Sequence, residues 1–184
     1  MNNKEIFYWY VLKTIFSRET KVKQLLDERN IKSFVPMQYK IRQKEGKKIK
    51  VLEPAIRDLV FVYAQKTDVE QFKKELFVNY GFDAYFLTRK NGLKRVIETI
   101  PEKQMQDFIN VASHVQEDIA YFSPEDLELQ KGTKVKVIGG LFDGIEGVLT
   151  RVKGKRCKRI VIEIPGLAIA TSYVEPDLIQ IIKD

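Results

Sequence analysis

The chain has 184 residues, 44% of them hydrophobic, and a formal net charge of +7, enough for one large domain or two small ones around packed cores. No apolar run approaches the ~20 residues of a membrane span, and MNNKEIFYWYVLK lacks the apolar core and small-residue cleavage site of a signal peptide. Cys157 is the single cysteine, which excludes an intramolecular disulfide and, with the preceding points, predicts a cytoplasmic protein.

Phe7–Lys13 is an aromatic and β-branched run, the pattern of a strand buried on both faces. Ser17 is placed to cap the helix that follows, with Glu19 in its positive first turn. Val22, Leu25, Leu26 and Arg29 repeat at helical spacing, so Arg29 must lay its stem along an apolar stripe. Ser33–Tyr39 reads as extended around Pro36. Lys40–Lys50 holds six basic residues and one acid, and is predicted to be a hairpin with Glu45-Gly46 at its tip. Leu59–Ala64 reads as a second buried strand. Thr67–Glu70 has the form of a capping box before a helix carried by Val69, Phe72 and Leu76. Asn91-Gly92, between Tyr85–Lys90 and Leu93–Ile97, predicts a hairpin turn. Pro101 suits the first turn of a helix with Met105, Phe108, Ile109 and Ala112 on one face.

Gln116–Leu129 lacks apolar periodicity, contains Ser123-Pro124 and reads as a linker. Beyond it, Lys134–Ile138, Val148–Val152, Ile160–Ile164, Ala168–Tyr173 and Leu178–Ile182 are predicted strands, close enough in sequence for a small five-stranded barrel. Gly139, Gly140, Gly144 and Gly147 supply its sharp corners. They do not form a phosphate-binding loop, because Gly144 is followed by Ile145 rather than Lys. Charge follows the same division. Residues 1–112 carry 22 Lys+Arg against 14 Asp+Glu, residues 113–128 none against five, and residues 129–184 ten against six. Two basic segments flank an acidic one, as in two domains and a linker. The fold class expected is α+β with a largely antiparallel sheet.

The spaced set Gly132, Val135, Val137, Gly140, Phe142, Gly147 and Leu149 resembles the KOW motif of NusG-type elongation factors and some ribosomal proteins. The N-terminal order of elements resembles the NGN domain that precedes KOW in that family. Trp9-Tyr10-Val11-Leu12 is similar to its opening strand, Phe34-Val35-Pro36-Met37 to its second, and Glu53-Pro54 through Val62 to its proline-led third. The resemblance implies an NGN-like α/β sandwich over residues 1–113, an acidic linker over 114–128 and a KOW, SH3-like barrel over 129–184. The Val-Pro-Met and Glu-Pro segments resemble the specialised paralogues, among them the UpxY-type antiterminators of capsular polysaccharide operons.

What the resemblance implies about partners is specific. The RNA polymerase clamp would meet an apolar patch of Tyr8, Tyr10, Leu59, Phe61 and Tyr63, each of which has core packing as the rival reading. In Leu59–Ala64 alternation puts Leu59, Phe61 and Tyr63 on one face and Val60 and Val62 on the other, and the larger set is expected to face the partner. Arg18 and Lys21 match the region where specialised members touch non-template DNA, although Ile15-Phe16 replaces the basic pair of RfaH, whose sequence preference is not expected here. Phe142 and Ile164 match positions by which KOW domains meet ribosomal protein S-ten or Rho; burial in the core is the other reading of Ile164.

Catalytic chemistry is sparse. His114 is the sole histidine, no His/Cys cluster has metal-ligand spacing, and neither enzyme activity nor a cofactor or metal is expected. Binding chemistry is richer. Lys44, Lys47, Lys48 and Lys50 in the first hairpin suit phosphate contact with DNA or nascent RNA, and Lys153–Arg159 forms a second basic run. Either can instead serve to keep edge strands soluble. The expected protein is a monomeric elongation and antitermination factor that holds polymerase through NGN and recruits a second protein through KOW. The alternative is a KOW-bearing RNA- or ribosome-binding protein. The β-branched and glycine-rich composition of residues 134–166 further predicts that this region is β rather than the helical hairpin open to RfaH-type domains.

Overall fold

The aromatic run near the N-terminus forms β1 (Tyr8–Lys13), whose four central residues are buried. The computed structural model describes residues 6–115, 117–122, 132–152, 156–165 and 167–182. Among these it is a mixed α/β structure with three α-helices and antiparallel sheets, and it divides into two units: residues 1–35 with 56–102, and residues 36–55 with 103–184.

In the first unit β1 pairs antiparallel with β5 (Leu59–Ala64) on one side and with β6 (Tyr85–Phe86) and β9 (Thr99–Ile100) on the other. β2 (Lys32–Phe34) pairs with the far edge of β5, so both aromatic-rich strands are interior, as their apolar runs require. Helices α1 (Glu19–Asp27) and α2 (Lys66–Tyr80) are joined by Arg29, which bonds Glu75 at 3.0 Å and sits 5.4 Å from the Phe72 ring. Neither predicted cap forms. Ser17 takes a left-handed conformation (φ 53°) and its N–H donates instead to Asp58 Oδ1 at 2.8 Å, leaving Arg18 at the N-cap. α2 begins at Lys66, two residues early, so Thr67 falls inside the first turn with no cap hydrogen bond from the N-cap residue Gln65.

In the second unit β3 (Met37–Lys44) and β4 (Lys47–Pro54) form a separate two-stranded ribbon. β7 (Thr88–Asn91) and β8 (Lys94–Ile97) form another, in the first unit. Its turn is Gly92-Leu93, one residue later than predicted, with Gly92 at φ 60° and Asn91 paired to Lys94. Glycine at the first central position is the type II′ solution rather than Asn-Gly in type I′.

The predicted five-stranded barrel is instead a six-stranded antiparallel sheet, ordered β10-β14-β13-β12-β11-β15. Its strands are β10 (Ala120–Phe122), β11 (Thr133–Val137), β12 (Glu146–Thr150), β13 (Arg159–Ile164), β14 (Leu167–Ala170) and β15 (Ile179–Ile181). Among the described residues β10 and β15 do not pair, so the sheet does not close. The additional strand comes from the stretch expected to be linker. Tyr121 stands opposite Ile169, and Ala120 and Phe122 pack on Val152, Val161, Ala168 and Ala170, covering an edge that β14 would otherwise leave unpaired. Within that stretch Gln116 and residues 123–129 lie outside the described residues. Helix α3 (Glu102–Ala112) is tied to the same sheet region: Lys103 Nζ bonds Asp107 at 2.7 Å and the Gly144 carbonyl at 3.3 Å, and Gln104 donates to the Glu163 carbonyl. Gly147 lets β12 approach β13 closely, since a Cβ there would stand 2.6 Å from the Val161 carbonyl oxygen. The region expected to be β rather than helical is indeed strand at β11, β12 and β13.

Candidate nucleic-acid and partner interfaces

Ribbon β3–β4 turns on Glu45-Gly46, with φ of 50° and 77°, the left-handed pair that a type I′ turn demands. Its register sorts the basic residues onto two faces, because residues directly opposite share a face and neighbours along a strand do not. Lys44 opposes Lys47, with Lys40, Arg42, Ile49, Val51 and Glu53 on the same side; Lys48 and Lys50 lie on the other with Tyr39, Ile41 and Leu52. The four lysines expected to act together are therefore divided two and two. Arg42 grips Glu53 through Nη2, at 2.7 Å to Oε2 and 2.9 Å to Oε1, and through Nε, at 3.0 Å to Oε2, and Lys40 adds a contact at 3.1 Å. Those hydrogen bonds, Arg42 first and Lys40 second, hold the Glu53 carboxyl below its ordinary pKa. Lys50 lies 4.3 Å from the Tyr39 ring. Lys44, Lys47 and Lys48 at the tip are exposed. The ribbon's base is fixed by Ala55 N–H to the Pro36 carbonyl at 2.8 Å and Gln38 Nε2 to the Ala55 carbonyl at 2.9 Å.

Arg18 and Lys21 are both exposed at the start of α1. Arg18 stacks 4.6 Å from the Phe82 ring, and Lys21 reaches Gln24 Oε1 at 3.2 Å. Beside them Phe16 is 83% exposed in a left-handed conformation (φ 57°), a strained and solvent-facing aromatic that its apolar character alone did not single out.

The register of β1 against β5 separates the predicted polymerase patch. Trp9 opposes Tyr63 and Val11 opposes Phe61, so Leu59, Phe61 and Tyr63 share a face with Trp9 and Val11; Tyr8 and Tyr10 oppose Ala64 and Val62 on the other face. The five residues thus cannot form one surface. Phe61 is 0% exposed, and Leu59 and Tyr10 are also buried. Burial, with Tyr8 and Glu70 as lesser causes, raises the Tyr10 hydroxyl above its ordinary pKa. Open aromatic surface occurs at the strand ends. Tyr8 is 44% exposed and stands edge-on to Tyr10, while exposed Phe7 packs 5.7 Å from half-buried Tyr63. Lys32 lies 5.4 Å from the Trp9 ring and 5.3 Å from that of Tyr63, adding a cation to this aromatic edge.

Phe142 and Ile164 are both buried, Phe142 under the edge of the His114 imidazole at 5.4 Å. His114, the only histidine, is thereby a packing residue of the second unit. In the basic run Lys153–Arg159, residues 153–155 lie outside the described residues. Arg159 is withdrawn from the surface: it is buried, donates to Asp118 Oδ2 at 2.7 Å and to the Thr171 carbonyl at 2.9 Å, and so ties β13 to the segments just before β10 and just after β14. Among the described residues no group of three or more His, Cys, Asp or Glu is placed to hold a metal, and no helix is long and apolar enough to cross a membrane.

The first unit thus combines interior aromatic strands with the basic ribbon β7–β8 and exposed aromatics at its strand ends, and the second unit carries the basic ribbon β3–β4. The family model described as NusG, transcription termination factor nusG, matches residues 7–109, more than half of the chain, and the chain belongs to the NusG family. A search among curated proteins finds no match.

Proposed function

We propose that this chain is a transcription elongation and antitermination factor that holds RNA polymerase through its N-terminal NGN domain and suppresses pausing or termination. It acts as a cytoplasmic monomer without chemistry or cofactor of its own, and its C-terminal sheet is a KOW domain that recruits a second protein, with ribosomal protein S-ten and Rho as candidates. Membership of the NusG family through residues 7–109 is the observation that carries this reading. The specialised, UpxY-like assignment to capsular polysaccharide operons belongs to the same proposal and rests on the Val35-Pro36-Met37 and Glu53-Pro54 segments.

The polymerase contact is assigned to the open strand ends, where Phe7 and Tyr63 lie on one face of the sheet, backed by buried Leu59 and Phe61, and Tyr8 on the other, backed by buried Tyr10. Exposed aromatics are characteristic interface anchors. Arg18 and Lys21 would meet the non-template strand, and ribbon β3–β4 the phosphates of DNA or nascent RNA. Affinity of the intact protein for purified RNA polymerase, compared with that of a Phe7→Ser/Tyr8→Ser variant, tests the reading. Truncating two such anchors is expected to cost about 2 kcal/mol or more of binding with melting nearly unchanged. Equal affinity of the two proteins for polymerase, or binding to ribosomal RNA alone, would refute it.

A further inference from the structure

Ribbon β7–β8 projects from the first unit. Its base is held by Leu87 N–H to the Val11 carbonyl at 2.8 Å and Glu98 N–H to the Leu87 carbonyl at 2.9 Å. Arg89 is engaged near that base, 3.4 Å from Glu98. Beyond it Lys90, Lys94 and Arg95 are exposed and form no ion pair among the described residues. Register sets Lys90 directly opposite Arg95, two cations on one face of a two-residue-turn hairpin. Like charges directly across a ladder destabilise it, so the pair costs the ribbon stability. No acid occurs between Thr88 and Ile97. At the apex Leu93 is fully exposed, an apolar side chain that nothing in the fold uses.

A rigid ribbon, a cation pair on one face and an apolar tip match one class of occupant. The major groove of B-form DNA admits a two-stranded β-ribbon, its phosphates take the flanking cations, and its floor offers thymine methyl groups to an apolar side chain. A-form RNA has a deep, narrow major groove that side chains cannot enter. We infer that ribbon β7–β8 is a second nucleic-acid contact that inserts into the major groove of double-stranded DNA, with Lys90, Lys94 and Arg95 on the phosphates and Leu93 against the bases. The inference stands whether or not the polymerase assignment does, since polymerase is absent from its test.

Binding of the full chain to a short labelled DNA duplex of mixed sequence, followed by fluorescence anisotropy across a salt series, tests it. Lys90→Glu/Arg95→Glu is expected to weaken binding about tenfold or more and to make the log–log salt slope less negative by about 2, one unit for each phosphate no longer neutralised. Lys90→Gln/Arg95→Gln should give the same direction with a smaller loss, and both variants should melt as the parent does. Leu93→Ser should weaken duplex binding several-fold at unchanged slope. An unaltered affinity and slope in both charge variants would overturn the inference. So would equal effects on an RNA duplex, which would place the interaction outside a B-form groove, or a Leu93→Ser variant that binds as the parent does.

Discussion

Strand β5 and ribbon β3–β4 adjoin in sequence, and both carry alternating large side chains, yet they meet opposite fates. β5 has a hydrogen-bonded neighbour at each edge, and five of its six residues are buried. β3 and β4 pair only with each other along eight residue pairs, and no residue of either strand is fully buried. Ile41 in the ribbon is 71% exposed, while Phe61 in β5 is 0% exposed. What separates them is the number of neighbours rather than the hydrophobicity of any single residue. A strand paired on both edges becomes core, and its aromatics contribute to stability; a strand pair with free outer edges remains surface, and its charges are available to partners.

The largest effect expected follows from the β5 side of this contrast. Phe61→Ser should lower stability by about 3–5 kcal/mol, the usual cost of removing a fully buried aromatic. Denaturant titration of the intact protein measures it, and any loss of polymerase affinity should then track unfolding. A loss under about 1 kcal/mol would mean that the Phe61 face opens in solution and is available to a partner after all.

The long, strongly patterned elements were legible. The interior strands β1 and β5, the three helices, both hairpins and the family resemblance of residues 7–109 follow from apolar periodicity and from a few motifs around Trp9 and Glu53-Pro54. The sidedness of the candidate site was not. Alternation within Leu59–Ala64 correctly groups Leu59, Phe61 and Tyr63, but only the register to β1 shows that Tyr8 and Tyr10 occupy the opposite face. Cross-strand register is a long-range property, and a shift of one residue would exchange every side chain between faces. The strand at Ala120–Phe122 escaped notice for a related reason: three residues are too few for periodicity, and their role is defined by the edge of β14. Helix starts failed through competition, since the N–H of Ser17 was captured by Asp58, 41 residues away.

On the ribbon the contrast sharpens into a choice of face. Lys44 and Lys47 lie together on one side, and Lys48 and Lys50 on the other beside Tyr39. If the first face meets phosphate, Lys44→Glu/Lys47→Glu should make the salt slope of nucleic-acid binding less negative by about 2, at ~0.9 per phosphate. Lys48→Glu/Lys50→Glu should then leave it nearly unchanged. Neither pair is buried, so melting should move by less than about 0.5 kcal/mol in stability. Identical slopes in both variants and the parent would leave the ribbon as a solubility device.

The smallest effect expected concerns the turn that presents those lysines. Glu45 holds φ at 50° in front of Gly46, a conformation that costs an ordinary side chain about 1 kcal/mol and Asn considerably less. Glu45→Asn therefore relaxes the backbone but removes the only acid between Lys44 and Lys47. Exposed charge pairs of this kind contribute ~0.2–1 kcal/mol at most and are screened by salt. The backbone term should prevail, by a few tenths of a kcal/mol at physiological salt and by less at low salt. Global melting will barely register it, because the ribbon buries none of its residues fully. Hydrogen exchange of the β3–β4 amides reports the ribbon directly and should slow in the variant. The loss of Glu45 should at the same time strengthen nucleic-acid binding slightly. Faster exchange with tighter binding would show that Glu45 is retained for its charge, holding the two lysines together at the tip.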